Sequence, residues 1–107
     1  MNINDEIEQA FRQGYNSAAK FQKELKTIAN HYGFTSQANM LCEEAAEFTV
    51  ALNKLRRGNQ EAYENIKEEL ANVLVIALQL RHLLGEKTID EIIEQKTRRQ
   101  LDRILSE

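Results

Sequence analysis

The sequence of residues 40–52 is MLCEEAAEFTVAL, which combines an apolar helical stripe with three glutamates. The apolar residues recur at spacings of three and four, as on one face of an α-helix: Leu41, Ala45, Phe48 and Leu52. At about 100° per residue, Glu44 falls between this stripe and a flank formed by Met40 and Ala51. We therefore expect the Glu44 carboxylate to be at least half buried.

A second carboxylate that should be partly buried lies in the stretch EELANVLVIALQL, residues 68–80. Glu69 shares a helix face with Asn72, and this face then continues through apolar residues. Burying an ionised carboxylate costs several kcal/mol unless it is paired or binds a metal. Two such acidic faces opposite each other favour a divalent cation, and oxygen ligands of this kind suit Mg²⁺.

Two alternatives compete with this interpretation. Acidic residues three apart are common on solvated helix faces, and Glu44, Glu47 and Glu69 could pair with basic residues at the edge of the fold. The candidate partners are Lys54, Arg56 and Arg57. A di-iron bundle would need Glu-x-x-His pairs, whereas the nearest stretch here is Gln-Leu-Arg-His at residues 79–82.

Composition favours an all-α protein of one domain. The chain has 107 residues, 42% hydrophobic and 29% charged, with no proline, which argues against disorder. Glycines divide it into four amphipathic segments. The first includes Ile7 to Tyr32, the second starts after the cap candidates Thr35 and Ser36 and ends at Gly58, and the third covers about residues 61–84.

The fourth segment opens with a capping box, Thr88-Ile-Asp-Glu91. Its isoleucines are predicted to point inward: Ile89, Ile92, Ile93 and Ile104. Lys96, Arg99 and Arg103 follow at spacings of three and four on one face, where they flank Ile92 and the apolar stripe. These cations could hold phosphates, or they could be solvated partners of the helix dipole.

Charge and cysteine content limit the function classes. A net charge of −3 gives no support to nucleic-acid binding, which needs an excess of Lys and Arg. The single cysteine, Cys42, cannot form an internal disulfide and is predicted to be in the core. The N-terminus lacks a signal-peptide pattern and the longest apolar run is too short for a membrane span, so we expect a cytoplasmic protein with no membrane partner.

Some apolar residues lie off the main stripes, which indicates more apolar surface than a small monomer hides. These residues are Val50, Ile76 and Leu83. We therefore expect a homo-oligomer.

Four ordered stretches together resemble the MazG-like nucleotide pyrophosphohydrolases: EEAAE at 43–47, LRRG at 55–58, EELANVLVIALQL at 68–80 and IIEQKTRRQLDRI at 92–104. The family signature is E-E-x-x-E followed by E-x-x-D, and the match covers about residues 19–104. The resemblance implies a four-helix MazG-like bundle in residues 19–107, preceded by an added N-terminal helical segment in residues 1–18. It also implies a dimer or tetramer that uses Mg²⁺ to hydrolyse a (d)NTP to the monophosphate and pyrophosphate.

The resemblance assigns roles by matching positions. The implied metal ligands are Glu44, Glu47, Glu69 and Asn72, the implied catalytic residues are Glu43 and Glu44, and the implied phosphate-binding residues are Lys96 and Arg99. For the base we expect a pocket on the first helix, with Phe21, Leu25 or His31.

The chain departs from the family pattern at one position, because Asn72 stands where the family has Asp. Asparagine keeps a carbonyl oxygen but loses one negative charge, so metal affinity should be lower. The alternative function is a non-catalytic MazG-like helical module for nucleotide binding or protein interaction.

Overall fold

The computed structural model describes residues 2, 5, 6 and 20–107, and this part of the chain contains helices and no strand. Three α-helices follow one another: α1 is Gln22–Arg56, α2 is Ala62–Leu84 and α3 is Glu86–Ser106. The predicted all-α class is therefore confirmed. The predicted extension, residues 1–18, lies almost entirely outside the described residues. None of the described helices has both the length and the apolarity needed to cross a membrane.

α1 is one helix with a break at Gly33, where φ is 83° and ψ is 172°. This combination of angles is essentially restricted to glycine. The break separates the two segments that the sequence predicts on either side of residue 33. The hydroxyl of Ser36, a predicted cap, donates to Oε1 of Gln37 at 3.4 Å.

A short turn joins α1 to α2 and makes the two helices antiparallel neighbours. The Gly58 N–H donates to the carbonyl of Leu55 at 2.9 Å, and the Glu61 N–H donates to Oδ1 of Asn59 at 3.1 Å. The apolar residues buried between the helices are mostly small: Ala29, Ala51, Ala62 and Leu80. Small residues let the helix backbones approach, so polar side chains can meet across the contact.

α3 begins at Glu86, two residues before the predicted capping box. That prediction is wrong because Gly85, with φ at 113°, ends α2 and starts α3 without a side-chain cap.

Polar contacts then hold the first turns of α3 against the other two helices. Arg81 donates two hydrogen bonds to Asp90, at 2.7 and 2.6 Å, while Glu86 lies 3.5 Å from Nζ of Lys26 and 3.6 Å from Nδ1 of His82. We call these five residues the polar junction.

Beyond the polar junction, α3 leaves the rest of the chain. Every residue from 91 to 107 is exposed, including Ile92 at 41% and Ile104 at 63%. The prediction that Ile92, Ile93 and Ile104 point into a core is wrong for the single chain, since no other described element packs against that part of α3, whereas Ile89 is half-buried. The predicted four-helix bundle is accordingly not confirmed.

Cys42 is also exposed, which corrects its predicted place in the core.

Replacing Gly33 with alanine should lower the free energy of unfolding by about 1–3 kcal/mol. The space is open, because a Cβ at Gly33 would meet no atom within 4 Å, so the cost comes from the backbone angles alone. Urea denaturation measures it. The exposed helical substitution Thr35→Ala is the control, and an equal effect of the two changes would show that the break imposes no strain.

Candidate metal centre

Three carboxylates from two helices converge on one point. Glu44 and Glu47 lie on successive turns of α1, and Glu69 faces them from α2. One carboxylate oxygen of each residue lies within 4.8 Å of the other two. We call these three residues the acidic cluster, and the helical spacing in EEAAE and EELAN brings its members together.

The acidic cluster is partly shielded from water, and two of its carboxylate oxygens lack hydrogen-bond partners among the described residues. Glu44 and Glu69 are half-buried and Glu47 is exposed. Oε2 of Glu44 and Oε2 of Glu69 are enclosed and have no hydrogen-bond partner among the described residues. Enclosed carboxylate oxygens without a donor are costly, so these two atoms are available to a cation or a hydrogen-bond donor.

The alternative ion pairs are not found in the described part of the chain. No Lys or Arg there lies within 4.0 Å of an acidic-cluster oxygen, although other ion pairs form on the same helices. The sequence alternative with Lys54, Arg56 and Arg57 as partners therefore has no support in the geometry.

Electrostatics within the acidic cluster favour protonation or a cation. Burial raises the pKa of Glu69 above its ordinary value, and the negative charges of Glu47 and Glu44 raise it further. A divalent cation would remove this repulsion and occupy the unpaired oxygens. Oxygen donors alone are the set that Mg²⁺ prefers, so the residues present fit that ion.

Two clefts flank the acidic cluster. The first, the lysine cleft, has a volume of about 330 Å³ and is lined by Ala46, Glu47, Val50, Ala51, Lys54, Asn65 and Glu69. The second, the amide cleft, has a volume of about 370 Å³ and is lined by Ile28, Tyr32, Ser36, Gln37, Met40, Glu44, Asn72, Val75, Ile76 and Gln79. The acidic cluster thus contributes a wall to each cleft.

The structure places the other predicted metal ligand close by, since Asn72 lines the amide cleft together with Glu44. Glu43 is exposed on α1, directly before Glu44. Lys96 and Arg99 lie on the exposed part of α3 and line neither cleft. Their phosphate-binding role stays a prediction.

The residues predicted for a base pocket, Phe21, Leu25 and His31, line neither of the two clefts. Tyr32 lines the amide cleft instead. Its ring lies 4.8 Å from that of His31 in an edge-to-face contact. Sequence reasoning also missed Gln79, which is 2% exposed. A signal was present, because Gln79 interrupts an apolar run.

No protein-family model, curated protein or solved structure matches this chain. The acidic cluster and its two clefts are therefore the observations on which a function can be argued.

Without metal, the protein should lose stability as pH rises above about 4.5, the ordinary value for a glutamate carboxyl. Because the pKa of Glu69 is raised in the folded state, the folded chain binds more protons than the unfolded chain in this window, so the free energy of unfolding falls. Urea denaturation across this window, in EDTA, measures the decline.

Glu69→Gln should flatten this pH dependence, while the exposed substitution Glu91→Gln should keep it. Adding Mg²⁺ to the unsubstituted protein should also flatten it, since the cation replaces the proton. An identical decline for the unsubstituted protein, both variants and the protein with Mg²⁺ would mean that burial and the nearby carboxylates do not raise the pKa of Glu69.

Proposed function

We propose that the chain is a Mg²⁺-dependent nucleoside triphosphate pyrophosphohydrolase of the MazG-like kind. The observation that carries the proposal is the acidic cluster, in which two enclosed carboxylate oxygens lack partners. The MazG-like four-helix arrangement is part of the proposal, with the halves of α1 on either side of Gly33 counted as separate helices. Residues 1–18 would then be an added helical segment.

The residues that would hold Mg²⁺ are Glu44, Glu47 and Glu69, with Asn72 offering a neutral carbonyl oxygen. When bound, the ion would neutralise phosphate charge and align the phosphate chain for attack. Three carboxylates leave room for phosphate oxygens and water, which Mg²⁺ usually keeps in its coordination shell.

The proposed reaction adds water at the α-phosphorus. The water oxygen forms a bond to that phosphorus while the bond to the oxygen bridging to the β-phosphorus breaks, so the products are the monophosphate and pyrophosphate. The proton released by water passes to a carboxylate, for which Glu43 and Glu44 are the candidates. Glu43 is exposed beside the acidic cluster and so remains accessible to solvent water.

The leaving pyrophosphate needs positive charge. Lys54 lines the lysine cleft together with Glu47 and Glu69 and is placed to meet phosphate oxygens that extend from the acidic cluster. Lys96 and Arg99 are the further phosphate-binding residues of the proposal, and they would reach a site only where α3 packs against another chain or rearranges.

A screen of canonical and modified (d)NTPs should find at least one from which the purified protein releases pyrophosphate when Mg²⁺ is present. Glu47→Gln should lower kcat/KM for that nucleotide by about 100-fold or more, because one charged ligand is lost. Glu47 is exposed, so the fold should survive. Coupled detection of pyrophosphate measures the rate.

The control is Glu61→Gln, an exposed glutamate at the start of α2, which should keep full activity. Activity that persists in EDTA, or orthophosphate as the first product, would contradict the mechanism.

A second candidate function is a non-catalytic module that binds nucleotide or protein partners on the same fold. Asn72 favours it, because the site has one charge fewer than the MazG-like signature provides. Calorimetry with Mg²⁺ and nucleotide in the absence of turnover would separate a nucleotide binder from a protein-interaction scaffold.

We also propose that the protein is a homo-oligomer, either a dimer or a tetramer. The exposed part of α3 carries a row of large apolar residues that are 41–85% exposed: Ile92, Ile93, Leu101, Ile104 and Leu105. Val50, at 52% exposed, adds apolar surface on α1. Exposed large apolar residues in this number are typical of a protein interface.

Light scattering should give twice or four times the chain mass of 12.4 kDa at micromolar concentration. The double substitution Leu101→Glu and Ile104→Glu should return the protein to one chain, because it charges the middle of the apolar row. Gln95→Glu adds charge to the same helix on the face opposite Ile93 and Ile104, and it should leave the assembly intact. A 12.4 kDa particle from the unsubstituted protein would refute the proposal.

A further inference from the structure

The floor of the amide cleft is formed by two buried side-chain amides. Gln79 is 2% exposed and Gln37 is 4% exposed, and Nε2 of Gln37 donates to Oε1 of Gln79 at 2.6 Å. The polar atoms of side chains this deeply buried normally have at least one hydrogen-bond partner each. The remaining polar atoms of the pair, Nε2 of Gln79 and Oε1 of Gln37, therefore need hydrogen-bond partners.

The pair leaves hydrogen-bonding groups without a partner among residues 20–107. Nε2 of Gln79 donates to no acceptor there, and both Gln79 and Gln37 line the amide cleft. Oε1 of Gln37 accepts only the long contact from Ser36, at 3.4 Å.

The walls of the amide cleft suit a flat ring. Tyr32 is 59% exposed at the cleft rim, and Ile28 and Met40 add apolar surface, each 40% exposed. Aromatic side chains stack on heterocycles of any identity. A side-chain amide offers both a donor and an acceptor, and the edge of a nucleobase presents a complementary pair.

Spacing connects this floor to the acidic cluster. Gln37 and Glu44 are seven residues apart on α1, and Asn72 and Gln79 are seven residues apart on α2. Each interval corresponds to about 10 Å along the helix axis. That length is comparable with the span from the edge of a nucleobase to the α-phosphate in a nucleoside triphosphate.

We propose that the amide cleft binds the nucleobase, with Gln79 and Gln37 on the base edge and Tyr32 against the base face. The proposal rests on the proposed function, because the phosphates would lie at the acidic cluster. It replaces the predicted pocket of Phe21, Leu25 and His31. Every base offers a donor next to an acceptor, so the amide pair selects a nucleotide over a bare polyphosphate rather than one base over another.

Calorimetry with two probes tests the proposal in the presence of Mg²⁺. One probe is the tightest binder among the four non-hydrolysable α,β-methylene nucleoside triphosphates, and the other is inorganic tripolyphosphate, which has no base. Tyr32→Ala should weaken the nucleotide analogue by about fivefold or more, the lower range for loss of base stacking. It should leave tripolyphosphate affinity unchanged.

The matched control for Tyr32 is Tyr63→Ala. Tyr63 is 55% exposed at the start of α2 and lines neither cleft, so its loss should change neither probe. Gln79→Leu should weaken the analogue by about tenfold, since a hydrogen-bond donor is replaced by an isosteric apolar group. Circular dichroism checks its fold, and Tyr32→Ala keeps the test decisive if Gln79→Leu does not fold.

The outcomes separate this inference from the proposed function. If the unsubstituted protein binds both probes and Tyr32→Ala weakens neither, or weakens both equally, the base does not occupy the amide cleft and the metal centre stands. If neither probe binds the unsubstituted protein with Mg²⁺, both the proposed function and this inference are overturned.

Discussion

The register between α1 and α2 is the constraint on which the rest of this structure depends. It sets Glu69 opposite Glu47 and, ten residues along the same contact, sets Gln37 opposite Gln79. A shift of one residue along either helix turns every side chain by about 100°, which would separate both groups at once. Alanines such as Ala51, 1% exposed, keep the backbones close enough for short polar side chains to touch. One packing arrangement therefore serves a charged group and an amide group together.

The same arrangement couples stability to ligand. The buried apolar set is small and made mostly of alanine, so the single chain has little hydrophobic stabilisation in reserve. Against this, the acidic cluster adds like-charge repulsion and two enclosed oxygens without partners. A protein built in this way gains stability from whatever neutralises the carboxylates, since a ligand that binds only the folded state shifts the folding equilibrium. Destabilised groups of this kind are characteristic of functional sites.

Local pattern was enough to predict the helices and the meeting of Glu44, Glu47 and Glu69, because helical spacing places acids on an apolar face whatever the rest of the chain does. It was not enough for α3. The isoleucines of that helix have core periodicity, yet their burial depends on what packs against them, and periodicity holds no information about the partner. The amide cleft was not predicted for a similar reason, since its lining residues come from α1 and α2 and meet only through the packing of the two helices. Gln79 interrupts an apolar run in the sequence, but its role could not be predicted because the contact with Gln37 on the other helix was not known.

Salt should act on this molecule in two opposite senses. At the polar junction, attraction between charges of unlike sign, such as Arg81 and Asp90, holds the start of α3. At the acidic cluster, charges of like sign repel. Added ions screen both within a Debye length of about 8–10 Å near physiological ionic strength, so they loosen α3 while relieving the carboxylates. Higher ionic strength thus weakens the attachment of α3 and, at the same time, reduces the repulsion between the carboxylates of the acidic cluster.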